Sequence, residues 1–157
     1  TRHFESNNLF TTQQHGFRTN HSSCETALQS IINDWKSLID DKKIVMSLFI
    51  DFKKAFDLVD SRFLLRKLGH YGFDNSSIYL LRSYFQNRSQ ITKIESSKSS
   101  PLDITMNVPQ GSILGPLLFL IFINELSYVL NIKNFLFADD TTIYNSASNF
   151  KTLVNFF

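Results

Sequence analysis

Two neighbouring carboxylates, Asp139 and Asp140, lie in the stretch FLFADDTTIY between apolar and β-branched flanks. A strand interior is a costly place for like charges in contact. Two arrangements resolve the conflict. Either the pair sits in a hairpin turn facing water, where Asp is a common residue, or something positive binds it. A third acid, Asp51, ends the apolar run IVMSLFI, Ile44 to Ile50. If that run and the hairpin lie side by side, three carboxylates meet at one edge of a sheet. Such a cluster repels itself unless cations sit in it. Magnesium takes oxygen ligands, commonly one or two carboxylates plus substrate phosphates. Two such ions about 4 Å apart clamp the attacking and leaving oxygens of phosphoryl transfer. The trio therefore suits two-metal nucleotidyl transfer. Taken singly, each acid is also ordinary turn or strand-end chemistry, so the reading stands on their meeting in space.

The elements that must position these acids are mixed. Ala27, Leu28, Ile31, Ile32, Trp35, Leu38 and Ile39 recur at helical spacing, with Ser22 or Ser23 as the cap. Before them, the polar segment to Asn20 reads as loop or short helix broken at Gly16. Ile44 to Ile50 reads as a strand buried on both faces. SRFLLRKLGHYGF reads as a helix capped by Asp60 or Ser61 and broken at Gly69 or Gly72; NSSIYLLRSYFQN reads as another, capped near Asn75 or Ser76. The β-prone runs QITKIES and LDITMNV, joined by SKSSP, predict a hairpin. An apolar helix is expected from about Leu114 to Leu130, with Pro116 in its first turn. Its apolar run, Ile113 to Ile123, is shorter than the ~20 residues of a membrane span, so no membrane partner is expected. NFLFA and TTIYN predict a second hairpin with the acids at its tip. Strands and helices do not alternate as regular βαβ units, which favours an α+β fold.

At 157 residues the chain is long enough to bury a core, with one domain as the default. Its 43% hydrophobic and 19% charged residues exclude a disordered chain. The 16 phenylalanines imply a ring-rich core or surfaces that await a partner. A net charge of +2 is too small to argue for nucleic acid by itself. The single cysteine, Cys24, excludes an internal disulfide, and with His21 it makes only half of a zinc site. The chain starts without Met and stops inside LVNFF, which reads as a piece of a longer polypeptide.

LFIDFKKAFDLVD, NVPQGSILGPLLFLIFINEL and FLFADDTTIY resemble, in order and approximate spacing, the palm motifs of reverse transcriptases. QHGFRTNHSSCETAL resembles the segment that precedes the palm. The GSILGPLLF form, in place of the GGPLSP form of group II intron enzymes, points to the non-LTR (LINE-type) retrotransposon branch. The resemblance covers about residues 1 to 155. It implies a palm, an antiparallel sheet backed by helices, over 44–157, and a partial helical fingers segment over 1–43. It also implies that a basic fingers hairpin lies before residue 1, and that a general-acid lysine and the thumb lie beyond Phe157.

The resemblance assigns roles residue by residue. Asp51 and Asp139 would hold two magnesium ions (manganese as a substitute), with Asp140 assisting and the Phe52 carbonyl as a further ligand. Phe56 matches the steric gate, where a phenyl ring would clash with a ribose 2′-hydroxyl and select deoxynucleotides; core packing is the alternative. Gln110 and Gly111 would lie along the incoming nucleotide and its template base, and a plain strand-to-helix turn is the rival reading. Arg18 would meet a phosphate or the template backbone, or else pair with an acid. Asp57 reads as a cap or turn residue, and Lys53 and Lys54 as substrate-facing or solvated. The implied partners are an RNA template, a DNA primer and deoxynucleoside triphosphates, with nuclear activity. The alternatives are an inactive retrotransposon remnant or non-catalytic RNA-binding domain, and an RNA-directed RNA polymerase, which would show Gly-Asp-Asp where this chain has Ala138-Asp139-Asp140.

Overall fold

The computed structural model describes residues 2–18 and 24–156. Its helices and strands run α1 (Arg2–Ser6), α2 (Cys24–Asp40), β1 (Ile44–Ile50), α3 (Ser61–His70), α4 (Asn75–Phe85), β2 (Ser89–Gln90), β3 (Lys93–Ile94), β4 (Ser97–Lys98), β5 (Leu102–Asp103), α5 (Gly115–Ile123), α6 (Leu126–Val129), β6 (Lys133–Phe137), β7 (Asp140–Ala147) and α7 (Phe150–Val154). Every ladder between these strands is antiparallel, which makes the fold α+β. Two compact units emerge: Thr1–Lys53 together with Ile123–Phe157, and Lys54–Phe122. The Ser22 or Ser23 cap and His21 lie outside the described residues; Cys24 is an exposed free thiol.

The first unit is built on a three-stranded sheet in the order β1-β7-β6. Helix α2 covers one face of it. Ile31 and Leu38 from α2 and Tyr144 from β7 form a buried cluster, joined by Ile32, Trp35, Val45 and Phe135. The expectation that β1 is buried on both faces is corrected. β1 is an edge strand; Ile44 and Leu48 are 42% and 48% exposed, and Phe49 is 70% exposed. A continuous apolar run marks two-sided burial only where layers cover both faces, and α2 supplies one.

Asp34 ties α2 to the hairpin. Its Oδ2 accepts from the Tyr144 hydroxyl at 2.6 Å and from Lys133 Nζ at 2.9 Å. These bonds, that of Lys133 first, hold the Asp34 carboxyl below its ordinary range, and burial beside Asp34 pushes the Tyr144 hydroxyl up. A folded-state pKa lowered for an acid adds stability above its unfolded value, near 4, and loses it as pH falls through the folded value. Asp34→Asn is therefore expected to cost about 1 kcal/mol at pH 7, discounted for partial exposure. The gap to the parent should close as pH falls below the ordinary carboxylate range and through the lowered folded value, read as urea midpoints across a pH series.

The single apolar helix expected over Leu114 to Leu130 is two, α5 and α6. The break falls at Asn124, which is 2% exposed. Its side-chain oxygen accepts from the Thr11 amide at 2.9 Å, and its Nδ2 donates to the Leu9 carbonyl at 2.8 Å. A buried amide that satisfies backbone groups elsewhere interrupts the apolar face of an otherwise periodic helix. Asn149 caps α7 by accepting from the Thr152 amide at 2.9 Å.

In the second unit, Asp60 caps α3 by accepting from the Arg62 amide at 2.8 Å, and Gly72 at φ +84° follows its end. Gly69 lies inside the helix. The cap of α4 is Asp74, which accepts from the Ser77 amide at 2.6 Å, one residue ahead of the expected Asn75 or Ser76. Val59, Leu64, Leu68, Phe85 and Val108 are buried here. The hairpin expected to turn at SKSSP turns earlier. β3 pairs with β4 about Glu95, at φ 53°, and β2 pairs with β5 outside it. QITKIES thus pairs through β3 with the start of SKSSP, and Ser89–Gln90 pairs with the start of LDITMNV, in two separate two-stranded sheets. Among the described residues no helix is long and apolar enough to cross a membrane.

Candidate active site

Strand register decides whether the three acids meet. β1 pairs with β7 from Ile44 opposite Ala147 to Ile50 opposite Thr141. One further step puts Asp51 opposite Asp140. β6 pairs with β7 from Lys133 opposite Tyr144 to Phe137 opposite Asp140. Ala138 and Asp139 are then the hairpin loop. All three acids stand at one end of the same sheet, Asp51 and Asp140 exposed and Asp139 half-buried. Among the described residues no hydrogen bond or ion pair engages any of their side chains. Three unpaired carboxylates at one sheet end repel one another, and a cation relieves that repulsion.

Ala138 sits at φ 57°, a left-handed conformation that costs a residue with a Cβ roughly 1–2 kcal/mol. The N-terminal segment holds it there. Gln14 is 1% exposed, and its Oε1 accepts from the Ala138 amide at 2.9 Å while its Nε2 donates to the Ala138 carbonyl at 3.2 Å. The same Oε1 accepts from the Gly16 amide at 2.8 Å. The backbone runs parallel to β6 here: the His15 amide donates to the Leu136 carbonyl at 2.8 Å, and the Leu136 amide donates to the Gln13 carbonyl at 2.9 Å. The His15 ring stacks on Phe135 at 4.4 Å. A Cβ on Gly16 would lie 2.2 Å from the Ala138 nitrogen. Gln14 and Gly16 therefore position the loop that carries Asp139. Sequence reasoning took Gly16 for a simple break and passed over Gln14. The one signal was a glutamine two residues before a glycine in a segment with no periodicity of its own.

Arg18 takes the second of its two sequence readings. It is 8% exposed and pairs with Glu5, with Nε to Oε1 at 3.0 Å and Nη2 to Oε2 at 2.7 Å. Its Nη1 donates to the carbonyls of Thr11 and Gln14, and its guanidinium lies over Phe10 at 5.4 Å. A guanidinium engaged this fully serves the Gln14 segment. A phosphate contact would have to displace part of that set.

Phe52, half-buried, follows Asp51 out of the strand. In the second unit, Phe56 stacks on Phe119 at 4.4 Å and keeps partial exposure. Its carbonyl accepts from the Val108 amide at 2.9 Å. Gln110 is exposed and donates to Asp57 Oδ1 at 3.0 Å, which places Asp57 in the turn as expected. Gly111 has φ 76° with open space around a built Cβ, so its need for glycine is conformational. Ser112 donates to the Pro109 carbonyl at 2.7 Å and closes this loop ahead of α5.

Among the described residues no three His, Cys, Asp or Glu side chains converge as a ready metal cluster. The donor set nonetheless fits magnesium, which asks for one or two carboxylates and completes its shell with water and phosphate oxygens. The partnerless state of Asp51, Asp139 and Asp140 leaves their oxygens free for that role.

An edge acid, a proline-glutamine-glycine loop and an acidic hairpin tip follow one another along this α+β chain. Over residues 1–155 the chain matches the family described as Reverse transcriptase (RNA-dependent DNA polymerase), and it belongs to that family. Among its relatives in Drosophila melanogaster, it is 34% identical over 113 residues to a probable RNA-directed DNA polymerase from transposon BS. It is 32% identical to a probable RNA-directed DNA polymerase from transposon X-element, and 31% identical to the RNA-directed DNA polymerase from mobile element jockey. Each match covers 72% of this chain and 12% of the relative, so the chain spans a small part of the proteins it resembles. The sequence resemblance to non-LTR retrotransposon enzymes is borne out.

Proposed function

We propose that this chain is part of the palm and fingers of an RNA-directed DNA polymerase. It would extend a DNA primer along an RNA template from deoxynucleoside triphosphates. The observation that carries the reading is the β1–β7–β6 register, which gathers Asp51, Asp139 and Asp140 at one sheet end without partners. Asp51 and Asp139 would hold two magnesium ions, with Asp140 beside them and the Phe52 carbonyl as a further oxygen donor. Magnesium held there would make the primer 3′-hydroxyl more acidic and offset charge on the α-phosphate. The 3′-hydroxyl would give up its proton to solvent, and its oxygen would bond to that phosphorus as the bond to pyrophosphate breaks. The three-stranded sheet belongs to the palm on this reading, and the segment before β1, α2 included, belongs to the fingers. Phe56 would lie under the deoxyribose as the gate, and Gln110 and Gly111 would lie along the nucleotide and template base. The family resemblance supports those three roles. Nuclear action belongs to the same proposal.

Magnesium titration of the chain tests the metal site. At ten times its Kd, a ligand of the folded state adds about 1.4 kcal/mol, a rise in Tm of about 3–6 °C for a chain this size. Asp51→Asn is expected to abolish the rise. A melting curve indifferent to magnesium in the parent chain would instead favour a remnant that binds RNA without polymerising.

A further inference from the structure

We propose that the groove between α3 and α4 is a binding site for the sugar-phosphate backbone of a nucleic-acid strand. The choice of nucleic acid as ligand rests on the polymerase reading above. The groove has a volume of about 580 Å³ and lies wholly in the second unit. Arg62, Arg66 and Arg82 line it, with Gln86 and Asn87 at one side and Phe85 beneath. No acid is among its lining residues.

The charges in the groove are uneven. Arg62 is paired with Asp60 at 2.8 Å. The Arg66 guanidinium lies over the Phe63 ring at 5.3 Å, and among the described residues no carboxylate pairs with Arg66 or Arg82. Two uncompensated guanidinium groups thus share one concavity. On a chain whose whole net charge is +2, that is a concentrated positive site. The guanidinium fork matches the oxygens of a phosphate two at a time. The Gln86 and Asn87 amides offer donors and acceptors for sugar hydroxyls or base edges, which lie beside phosphates in a strand. The volume is that of a small-ligand pocket.

The test is fluorescence anisotropy of a labelled 20-nucleotide single-stranded RNA, with a DNA of the same sequence in parallel. The buffer holds EDTA and no nucleotide, so nothing depends on the acidic site. Arg66→Gln with Arg82→Gln is expected to weaken binding about 5–10-fold at 0.1 M salt. The slope of log K against log salt should shrink by about 1.4, the value for two phosphate contacts to a single strand. Equal losses for RNA and DNA identify a backbone reader, and a larger loss for RNA adds a contact to the 2′-hydroxyl. Lys36→Gln with Lys151→Gln, the same charge removed elsewhere, should change affinity less than twofold. The proposal is overturned if the arginine variant matches the parent, if the lysine variant loses as much, or if the parent binds neither strand. It is also overturned if decaglutamate displaces the RNA at equal charge concentration, which would mark a site for acidic peptides. Each of these results leaves the catalytic reading standing, because that reading is judged by extension and metal dependence.

Discussion

On the polymerase reading proposed above, Asp139→Asn is expected to abolish RNA-templated primer extension, with a fall of at least about a thousandfold. The size follows from what a metal-bound carboxylate supplies. Losing one ligand of a two-metal clamp removes several kcal/mol of charge stabilisation at the transferring phosphorus, and each 1.36 kcal/mol is tenfold in rate. Asparagine keeps the shape and loses the charge. The fold has no stake in that charge, since no hydrogen bond or ion pair among the described residues engages Asp139. The variant should melt within about 1 °C of the parent, or slightly above it as repulsion from Asp51 and Asp140 relaxes. Extension on an RNA template is read beside a thermal melt. Normal extension by a well-folded Asp139→Asn protein would end the two-metal mechanism. Lost extension together with a collapsed melt would relocate the effect to folding.

Gly16→Ala carries the largest expected cost in stability, about 3 kcal/mol, at the upper end of the range for overpacking. The added Cβ would meet the Ala138 nitrogen at 2.2 Å and the Phe137 carbonyl carbon at 2.9 Å. Both are backbone atoms, and no rotamer change clears them. The segment must retreat from the hairpin, and Gln14 must loosen its hold on Ala138. A Tm lower by roughly 6–12 °C is expected, with weaker extension at temperatures where the protein remains folded. Gly69→Ala is the companion. Its Cβ would meet only Ile78 Cδ1, at 3.6 Å, inside α3, and alanine gains about 0.5–1 kcal/mol there by helix propensity. Equal melts for the two variants would show that Gly16 is not packed against the hairpin.

The elements that carry their own signals were legible. Helix α2 and strand β1 follow from apolar spacing, and the cap at Asp60 follows from a side chain that accepts a local amide. The hairpin around Asp139 was legible because two β-prone runs bracket a pair that cannot be buried. What escaped depends on distant partners. The exposure of β1 is set by what covers its second face, and the run IVMSLFI is silent on that. The interruption at Asn124 is set by Leu9 and Thr11, more than a hundred residues earlier. The turn at Glu95 competes with a more turn-like SKSSP, and nested pairing decides between them. In the site, types and order were enough to name the acids. Gln14 was invisible, because its work is done on the backbone of a residue that shows nothing unusual by type. Arg18 had two chemically equal readings, and only the position of Glu5 separates them.

The bonds from Thr11 to Asn124 and from Gln14 to Ala138 bridge 113 and 124 residues of chain. Long loops close slowly and late. On a ribosome the first segment emerges before its partners exist, and it waits exposed until residue 138 has cleared the exit tunnel. The acidic tip therefore takes its shape last, and synthesis halted short of it leaves an open, sticky N-terminal strap of the kind chaperones bind. Pausing or early termination in that interval should raise aggregation far more than the same fault placed after residue 147.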